Sequence, residues 1–526
     1  MANSKYILAI DLGTSGPKVA LVSTFGEILV VESEKIPLHL LSGGGAEQSP
    51  QDWWKGIKTA THKILSQNLV PVDDILAISC TGQWSGTVAV DQYSQPLMNA
   101  IIWMDTRGAE YVRELIKGFP QIQGYGVWKT LNWVRLTGGL PGKAGKDPIA
   151  HILYIKNEFP DLYQKTYKFL EPKDYLNLVL SGQYAAGYDS ICLHWLTDNR
   201  RLDKVTYNQR LINLSSIDAD KLPKLHQALD LLGPIQPKVA KELGLNEKVQ
   251  VIVGTPDVQS AAVGSGAVGD YQTHLYIGTS SWLACHLPFK MTDIVRNMAS
   301  LPSAIPDKYI VVAEQECAGV CLTHLRDNIL FPEDELAPTP KSLDLLEGFN
   351  KLAERVPAGS DKLIYLPWLY GERAPVDEAQ LRGGFVNQTL KTTRAHLVRA
   401  VFEGVAFNTR WMFESMEKSI KHKIKTLTIT GGGAQSEFWC QVLADVLDRT
   451  IHQIKEPLFV NLRGAAFLAS MAMGQLSIAD ISKRVEIAKR FVPNQQNRRI
   501  YDELFHEFIN TYKQLKPIYS RLNRSP

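Results

Sequence analysis

Two stretches of the chain share one order of residues: an apolar run, a turn rich in glycine, threonine and serine, and a second apolar run. They cover residues 8–10, 13–16 and 19–22 in the first half, and residues 275–277, 278–280 and 282–284 in the second. Strand-forming residues on both sides of glycine predict a strand, a tight turn and a second strand. The sequence therefore predicts the same local structure in both halves.

Each of these turns has the composition of an anion-binding site. Glycine allows backbone N–H groups to turn toward an anion, and the hydroxyl groups of Thr14, Ser15 and Thr279 can add donors. One such turn alone is better explained by an ordinary hairpin, because Gly-Thr and Gly-Ser are common turn pairs. The second copy favours two related domains that hold one phosphate chain.

The length of the chain also favours two domains. At 526 residues it exceeds the size that a single hydrophobic core usually reaches. A predicted strand at residues 249–254 ends at Thr255-Pro256-Asp257, where a helix is expected to begin. We place the domain boundary here, with domains at residues 1–254 and 255–526.

Composition and charge narrow the class of protein. Hydrophobic residues make up 45% of the chain and charged residues 21%, and the net charge of +3 is too small to favour nucleic-acid binding. No stretch reaches the roughly 18 apolar residues of a membrane-spanning helix, and the first apolar run is too short for a signal peptide. The six cysteines show no Cys-x-x-Cys spacing, so we predict free thiols and a cytoplasmic protein.

Two aspartates lie where predicted strands end. Asp11 precedes the first glycine turn, where its carboxylate can hold Mg²⁺ against phosphates, although aspartate also stabilises ordinary turns. Asp257 begins a helix at the predicted boundary, where it can accept a proton from a substrate hydroxyl or only favour the helix dipole. Lys18 is expected to face solvent rather than phosphate.

A second group of residues has the chemistry of a polyol site. Gln83, Trp84, Trp103 and Asp105 offer amide, aromatic and carboxylate groups, which can bond to hydroxyls and stack on carbon atoms. Each of them is equally well explained as a half-buried structural residue. The glycine-rich residues 138–146 predict a mobile loop in the same half of the chain.

A third glycine segment is compatible with nucleotide binding. A predicted strand at residues 425–430 enters Gly431-Gly432-Gly433, and a predicted helix at residues 437–447 follows. The P-loop pattern is absent, so ATP would need a different scaffold. A Rossmann-like glycine spacing at residues 264–269 follows a predicted helix instead of a strand, which argues against a dinucleotide site.

In this order, the motifs resemble those of the FGGY family of carbohydrate kinases, and within it the xylulokinases. The matching segments are residues 9–15, 81–83, 100–107, 172–176, 277–280, 366–375 and 430–434. The resemblance implies an α/β fold with two actin-like ATPase (ribonuclease-H-like) domains, the first for the sugar and the second for the nucleotide, and an interdomain cleft. It also implies transfer of the γ-phosphoryl group of ATP to a sugar hydroxyl, with Mg²⁺, and a homodimer as a family-level expectation.

Matching positions in the family imply roles for individual residues. Asp257 would be the catalytic base in contact with the substrate, and Asp11 would help to hold Mg²⁺. The residues around the nucleotide would be Gly13, Thr14, Ser15, Gly278, Thr279, Gly319, Gly432 and Gly433. The residues toward the sugar would be Gln83, Trp84, Trp103 and Asp105.

The chain departs from the xylulokinase pattern in its sugar loop. Gln83-Trp84-Ser85-Gly86 stands where these enzymes usually have Gln-Met-His-Gly. D-xylulose is therefore the leading candidate, while ribulose, another ketose or a polyol stays open, as does a catalytically weak sugar sensor. Glycerol is disfavoured, because an Arg-Glu pair is absent at residues 84–85.

Overall fold

A six-stranded sheet lies at the centre of the first half of the chain. The computed structural model describes residues 5–122, 124–332 and 345–523. The strands of this sheet are β1 (Tyr6–Gly13), β2 (Gly16–Ser23), β3 (Ile28–Ser33), β4 (Ile75–Gly82), β5 (Leu231–Pro234) and β6 (Gln250–Ile252). Their spatial order is β5-β6-β4-β1-β2-β3. β1, β2 and β3 are antiparallel neighbours, whereas β4 runs parallel to both β1 and β6.

An eight-stranded sheet lies at the centre of the second half. Its strands are β7 (Thr273–Ile277), β8 (Ser281–Leu287), β9 (Thr292–Asp293), β10 (Met298–Pro302), β11 (Tyr309–Gln315), β12 (Thr426–Thr430), β13 (Thr450–Ile454) and β14 (Ile487–Phe491). Their spatial order is β9-β10-β11-β8-β7-β12-β13-β14. Here β7, β8 and β11 form an antiparallel part, and β12 runs parallel to both β7 and β13.

The two sheets share one topology. In each, three antiparallel strands are followed by two parallel ones, in the orders β3-β2-β1-β4-β6 and β11-β8-β7-β12-β13. The predicted α/β fold with two actin-like domains is confirmed, and both predicted strand-turn-strand units form. The first sheet ends at Ile252 and the second begins at Thr273, so the predicted division after Gly254 lies in the connecting segment and stays a prediction.

Short strand pairs lie outside the two central sheets. His39–Leu41, Gly45–Gln48 and Ala100–Ile101 form one small sheet. The other pairs are Val88–Val90 with Lys168–Leu170, Gln121–Ile122 with Tyr125–Gly126, Ala185–Gly187 with Lys224–His226, Thr197–Asp198 with Thr206–Tyr207, and Ile364–Leu366 with Gly384–Val386.

Helices alternate with these strands. They are α1 (Pro50–Ser66), α2 (Ala109–Ile116), α3 (Val127–Leu136), α4 (Pro148–Glu158), α5 (Pro160–Lys165), α6 (Pro172–Ser181), α7 (Tyr188–Ile191), α8 (Gln209–Ser215), α9 (Pro237–Leu243), α10 (Asp257–Gly264), α11 (Gly319–Leu325), α12 (Leu345–Ala353), α13 (Arg394–Ile420), α14 (Glu437–Leu447), α15 (Val460–Ala472), α16 (Ile478–Arg484) and α17 (Arg498–Leu522). In the part of the chain that the structure describes, none of the helices has the length and apolar character needed to cross a membrane. The six cysteines are buried and free of disulfides, as predicted.

Helices α10 and α15 cross at two glycines. A Cβ atom on Gly264 would lie 1.9 Å from Val460 O, and one on Gly464 would lie 1.9 Å from Ser260 O. Ser260 Oγ also donates a hydrogen bond to Asn461 O at 2.8 Å. The two backbones can approach this closely only because both positions lack a side chain.

Helix α15 belongs to the second half of the chain but packs against the first sheet. Its small residues Ala465 and Ala466 share a buried cluster with Ala9 of β1. Small side chains on both surfaces allow the helix to lie close to the strand. The α10–α15 pair therefore connects the helix that begins at Asp257 with the strand that carries Asp11.

A side chain added at the crossing tests this packing. We expect Gly464→Val to lower the free energy of unfolding by about 2 kcal/mol or more, because its Cβ would overlap Ser260 O and force the helices apart. Urea denaturation measures the change. Gly348→Ala is the control, since Gly348 lies in α12 with open space around the position of a Cβ atom. Unchanged stability of Gly464→Val would show that the helices are not held this closely.

Candidate active site

Asp11 lies in β1 directly opposite Lys18 of β2. Its Oδ2 atom accepts a hydrogen bond from Lys18 Nζ at 3.4 Å and another from Asn461 Nδ2 at 3.4 Å. In the described part of the chain, Asp11 Oδ1 and Asn461 Oδ1 are buried without a hydrogen-bond partner. Oxygen atoms of this kind are the ligands that Mg²⁺ prefers in proteins. Lys18, which was expected to face solvent, is only partly exposed and contacts this carboxylate.

A tight turn leads from β6 toward Asp257. Gly254 has a φ of +68°, and a Cβ atom there would lie 2.4 Å from Cys80 O, so this position requires glycine. The preceding carbonyl, Val253 O, accepts a hydrogen bond from Lys173 Nζ at 3.1 Å. Gly254 N–H in turn donates to Ala228 O at 3.0 Å, so the turn is held by hydrogen bonds before Asp257 begins α10.

Asp257 lies in an acidic environment. Loss of solvent contact, and then the negative charges of Asp11 and Glu314, raise the pKa of Asp257 to about 8, while the Val258 N–H and Lys18 act in the opposite direction. The two predicted carboxylates are therefore close enough to interact, although they come from different halves of the chain. A carboxyl group that exchanges its proton near neutral pH is suited to general acid–base chemistry.

The second glycine turn is bonded to the start of α11. Gly319 N–H donates to Gly278 O at 2.8 Å, and Ala318 N–H donates to Thr279 O at 2.9 Å. A Cβ atom on Gly319 would lie 2.4 Å from Gly278 O, so glycine is needed for this contact. Gly319 therefore helps to fix the shape of the turn.

The third glycine segment lies beside the second turn, because β7 and β12 are parallel neighbours. A Cβ atom on Gly433 would lie 2.5 Å from Ile277 Cγ2, whereas the space around a Cβ atom on Gly432 is open. Gly431 N–H donates to Pro457 O at 3.0 Å, which ties the segment to the start of the next loop. The glycines predicted for the nucleotide in the second half thus share one edge of the sheet.

The first glycine turn is bonded to residues predicted for the sugar. Trp103 Nε1 donates to Thr14 Oγ1 at 3.0 Å, and Thr14 Oγ1 donates to Gln83 Oε1 at 3.4 Å. Gln48 completes the network, since its Nε2 donates to Thr14 O at 2.7 Å and its Oε1 accepts from Gln83 Nε2 at 2.8 Å. Gln48 was not predicted, because it belongs to no local motif and reaches the site only through folding.

The other residues of the first turn differ in exposure. Gly13 and Thr14 are partly exposed, and Ser15 is exposed. A Cβ atom on Gly13 would lie 3.9 Å from Lys18 Nζ, so the ammonium group lies beside the turn. This placement adds positive charge where an anion would bind.

Trp84 and Asp105 are built into the fold more deeply than Trp103. The Trp84 ring lies in a buried apolar cluster, and its Nε1 donates to Ser190 O at 2.8 Å. Asp105 is 1% exposed, and its Oδ2 accepts from the Ala46 N–H at 2.9 Å and from Arg107 Nη2 at 2.7 Å. The polar groups of both side chains are thus already bonded within the chain.

A cluster of charges near the two aspartates was not predicted from the sequence. Arg373 pairs with Glu314 of β11 and, through Nη2, with Glu316 Oε1 at 2.9 Å. Lys146 Nζ lies 3.4 Å from the same Glu316 oxygen. Lys146 belongs to the predicted mobile loop at residues 138–146, so this loop contacts the second half of the chain.

Two family models match most of the chain. One describes the N-terminal domain of the FGGY family of carbohydrate kinases and matches residues 6–264. The other describes the C-terminal domain of the same family and matches residues 275–473.

The similar proteins are named for two different substrates, xylulose and gluconate. A xylulose kinase of Bacillus subtilis is 29% identical over 98% of this chain and 99% of its own length, and a gluconokinase of the same bacterium is 26% identical over 99% and 98%. A crystal structure of ligand-bound xylulose kinase from Lactobacillus acidophilus has a TM-score of 0.87 at 25% identity, covering 99% of this chain and 100% of that one. A gluconate kinase from the same species has a TM-score of 0.86 at 25% identity, with the same coverage.

The raised pKa of Asp257 predicts a pH-dependent stability. Between about pH 4 and about pH 8, the folded protein keeps this proton while the unfolded chain loses it. The unfolded state then binds fewer protons, so the contribution of Asp257 to the free energy of unfolding falls as the pH rises through this window. We expect Asp257→Asn, which cannot ionise, to melt at a higher temperature than wild type at about pH 9 and at a similar temperature near pH 4.

Thermal unfolding of both proteins in magnesium-free buffer, over a series of pH values, measures this difference. Asp161→Asn is the matched control, because Asp161 is exposed and also lies in the first turn of a helix, α5. A difference between Asp257→Asn and wild type that does not change with pH would show that Asp257 ionises as an ordinary aspartate.

Proposed function

Because the chain belongs to the FGGY family of carbohydrate kinases, we propose that it transfers the γ-phosphoryl group of ATP to a hydroxyl group of a neutral ketose, with D-xylulose as the first candidate. The observation that carries the proposal is the close crossing of α10, which begins at Asp257, with α15, whose Asn461 donates a hydrogen bond to Asp11. Loss of solvent contact, and then the charge of Asp11, raise the pKa of Asp257 to about 8. Asp11 lies near the end of β1, beside the first glycine turn, and Asp257 begins α10 after β6. Such a site offers a base, a cation ligand and phosphate donors together.

We assign ATP to the edges formed by the glycine segments. The open space at Gly432 and the contact between Gly278 and Gly319 support this assignment, because both leave backbone rather than side chains at the surface. The proposed phosphate contacts are Gly13, Thr14, Ser15, Gly278 and Thr279, and the proposed nucleoside contacts are Gly319, Gly432 and Gly433.

Asp11 is the proposed ligand of Mg²⁺. Its buried Oδ1 atom has no hydrogen-bond partner within the described residues, which fits an oxygen kept for a cation. When bound, Mg²⁺ neutralises charge on the phosphates of ATP. Lys18 Nζ, at 3.4 Å from Asp11 Oδ2, adds a positive charge beside the first turn.

Asp257 is the proposed catalytic base. In its ionised form, it would accept the proton of the sugar hydroxyl that attacks the γ-phosphorus. Phosphoryl transfer depends mainly on positioning, and the close contact between α10 and α15 fixes the backbone of Asp257 relative to Asp11. Closure of the two halves around the sugar would exclude water and so limit ATP hydrolysis.

The charges around the site favour a neutral sugar over an aldonate such as gluconate. A carboxylate substrate needs a cation that is not already neutralised by the protein. The nearby cations are paired with carboxylates: Lys18 with Asp11, Lys146 with Glu316, Arg373 with Glu314 and Glu316, and Arg107 with Glu47 and Asp105. A ketose needs only hydrogen bonds and ring contacts.

The proposed sugar residues divide into two kinds. Gln83 and Trp103 belong to the hydrogen-bond network of Thr14, so they would orient the sugar relative to the phosphates. Trp84 and Asp105 have their polar groups bonded within the chain, so they would act by shaping the pocket. In the unusual Gln83-Trp84-Ser85 loop, the proposed sugar contact is therefore the amide group of Gln83. The side chain of Trp84 is buried in the fold and does not offer its Nε1 to the sugar.

A substrate screen tests the proposed reaction. ADP release is measured with ATP, Mg²⁺ and, in turn, D-xylulose, D-ribulose, hexuloses, polyols and D-gluconate. We expect the highest kcat/KM with a ketopentose, and no reaction above background with gluconate because the cations of the site are paired. A preference for gluconate would overturn the assignment of a neutral substrate, and sugar binding without ADP release would favour a sensor.

Replacement of the base tests the mechanism. We expect Asp257→Asn to lower kcat with the best sugar by about 10²–10⁴-fold, since this is the usual contribution of a positioned base. Its affinity for ADP is expected to stay near that of wild type, because the glycine turns are unchanged. Asp161→Asn serves again as the control. Turnover of Asp257→Asn near the wild-type rate would exclude Asp257 as the base.

A further inference from the structure

Tyr276 has a fixed orientation at the end of β7. Its ring stacks on that of Trp282, its antiparallel partner in β8, with centroids 3.8 Å apart and planes inclined by 9°. The stacking lies just before the second glycine turn, because Tyr276 precedes Gly278 by two residues and so lies on the same face of the strand. A ring held between strands in this way can present its hydroxyl group at a defined position.

The ring of Tyr276 spans two of the three glycine segments. A Cβ atom on Gly278 would lie 2.7 Å from the Tyr276 hydroxyl oxygen, and one on Gly431 would lie 3.0 Å from Tyr276 Cε2. The hydroxyl end is therefore directed toward the second turn, and the opposite edge of the ring lies against the third segment. Loss of solvent contact, and then the charges of Asp11 and Asp257, raise the pKa of the Tyr276 phenol, so this hydroxyl lies within electrostatic range of both carboxylates.

We propose that Tyr276 is a nucleotide-contacting residue whose hydroxyl group donates a hydrogen bond to a terminal phosphate of the bound nucleotide. This inference rests on the proposed function, which assigns ATP to the edges formed by the glycine segments. It adds a contact that belongs to none of the glycine turns. It also gives a role to an aromatic residue that the sequence marks only as part of the apolar run at residues 275–277.

The chemistry of the site favours such a donor. Asp11 and Asp257 both carry or can carry negative charge, so a phosphate chain placed near them needs hydrogen-bond donors as well as a cation. Within the described residues, the Tyr276 hydroxyl forms no hydrogen bond in the structure, so it is available to a ligand. Loss of solvent contact, followed by the charges of Asp11 and Asp257, raises the pKa of Tyr276 to about 12, so the phenol keeps its proton at neutral pH.

A purely structural role makes a different prediction. If Tyr276 served only to pack against Trp282 and the glycines, phenylalanine would replace it without loss, because the ring and its stacking would remain. If the ring instead obstructed the phosphates, a smaller residue would strengthen nucleotide binding. Removal of the hydroxyl group alone is therefore expected to weaken nucleotide binding only if Tyr276 makes the proposed hydrogen bond.

Calorimetric titration of Tyr276→Phe with ADP and with AMP, in the presence of Mg²⁺, tests the proposal. We expect the Kd for ADP to rise about tenfold or more, as is usual when a hydrogen bond to a charged group is lost. The Kd for AMP is expected to rise less, because the hydroxyl end of the ring points toward the turn assigned to the terminal phosphates. The melting temperature is expected to stay near that of wild type.

Controls separate this proposal from the proposed function. Tyr93→Phe removes a hydroxyl from a side chain that is 73% exposed, and it is expected to leave both affinities unchanged. If the wild-type protein binds ADP but phosphorylates none of the sugars, the kinase proposal is contradicted. The comparison of ADP affinity between Tyr276→Phe and wild type still tests the role of Tyr276 in that case. Equal ADP affinity in Tyr276→Phe and wild type, equal weakening for ADP and AMP, or tighter binding by Tyr276→Ser would each overturn that role.

Discussion

The close crossing of α10 and α15 is the contact on which the candidate site depends. Gly264 and Gly464 leave no room for side chains, so the two helix backbones lie against each other and neither can shift without steric overlap. Helix α10 begins at Asp257, while α15 carries Asn461, which donates to Asp11, and packs on the strand that holds Asp11. The crossing therefore sets the position of one carboxylate relative to the other, although they come from different halves of the chain.

This arrangement has an electrostatic cost that indicates function. Loss of solvent contact, and then the negative charges of Asp11 and Glu314, raise the pKa of Asp257, and a fold selected only for stability would not gather three acidic groups in this way. Lys18 and Arg373 offset part of the repulsion through ion pairs. The negative charge that is not offset can be neutralised by a bound cation or by uptake of a proton, both of which phosphoryl transfer from a phosphate chain involves.

Substrate choice in this family cannot be read from the overall fold, because a xylulose kinase and a gluconate kinase have nearly the same TM-score against this chain. It has to be argued from the side chains of the pocket. Here a hydrogen-bond network of Gln48, Thr14 and Gln83 joins the residues proposed for the sugar to the turn proposed for the phosphates. The paired state of Lys146 and Arg373 then favours a substrate without a charge of its own.

The sequence by itself determined the two strand-turn-strand units, the family, and the positions of Asp11 and Asp257 at strand ends, because these features are encoded by neighbouring residues whose spacing reflects local backbone geometry. The tertiary structure decided which distant residues join them. Gln48, Asn461, Glu314 and Arg373 reach the site through strand order and helix crossing, and no local spacing marks them. It also decided the surroundings of predicted residues: Trp84 is turned into a buried cluster, whereas Trp103 bonds to Thr14. Burial and the pKa of Asp257 depend on contacts between the two halves, so only the folded chain could reveal them.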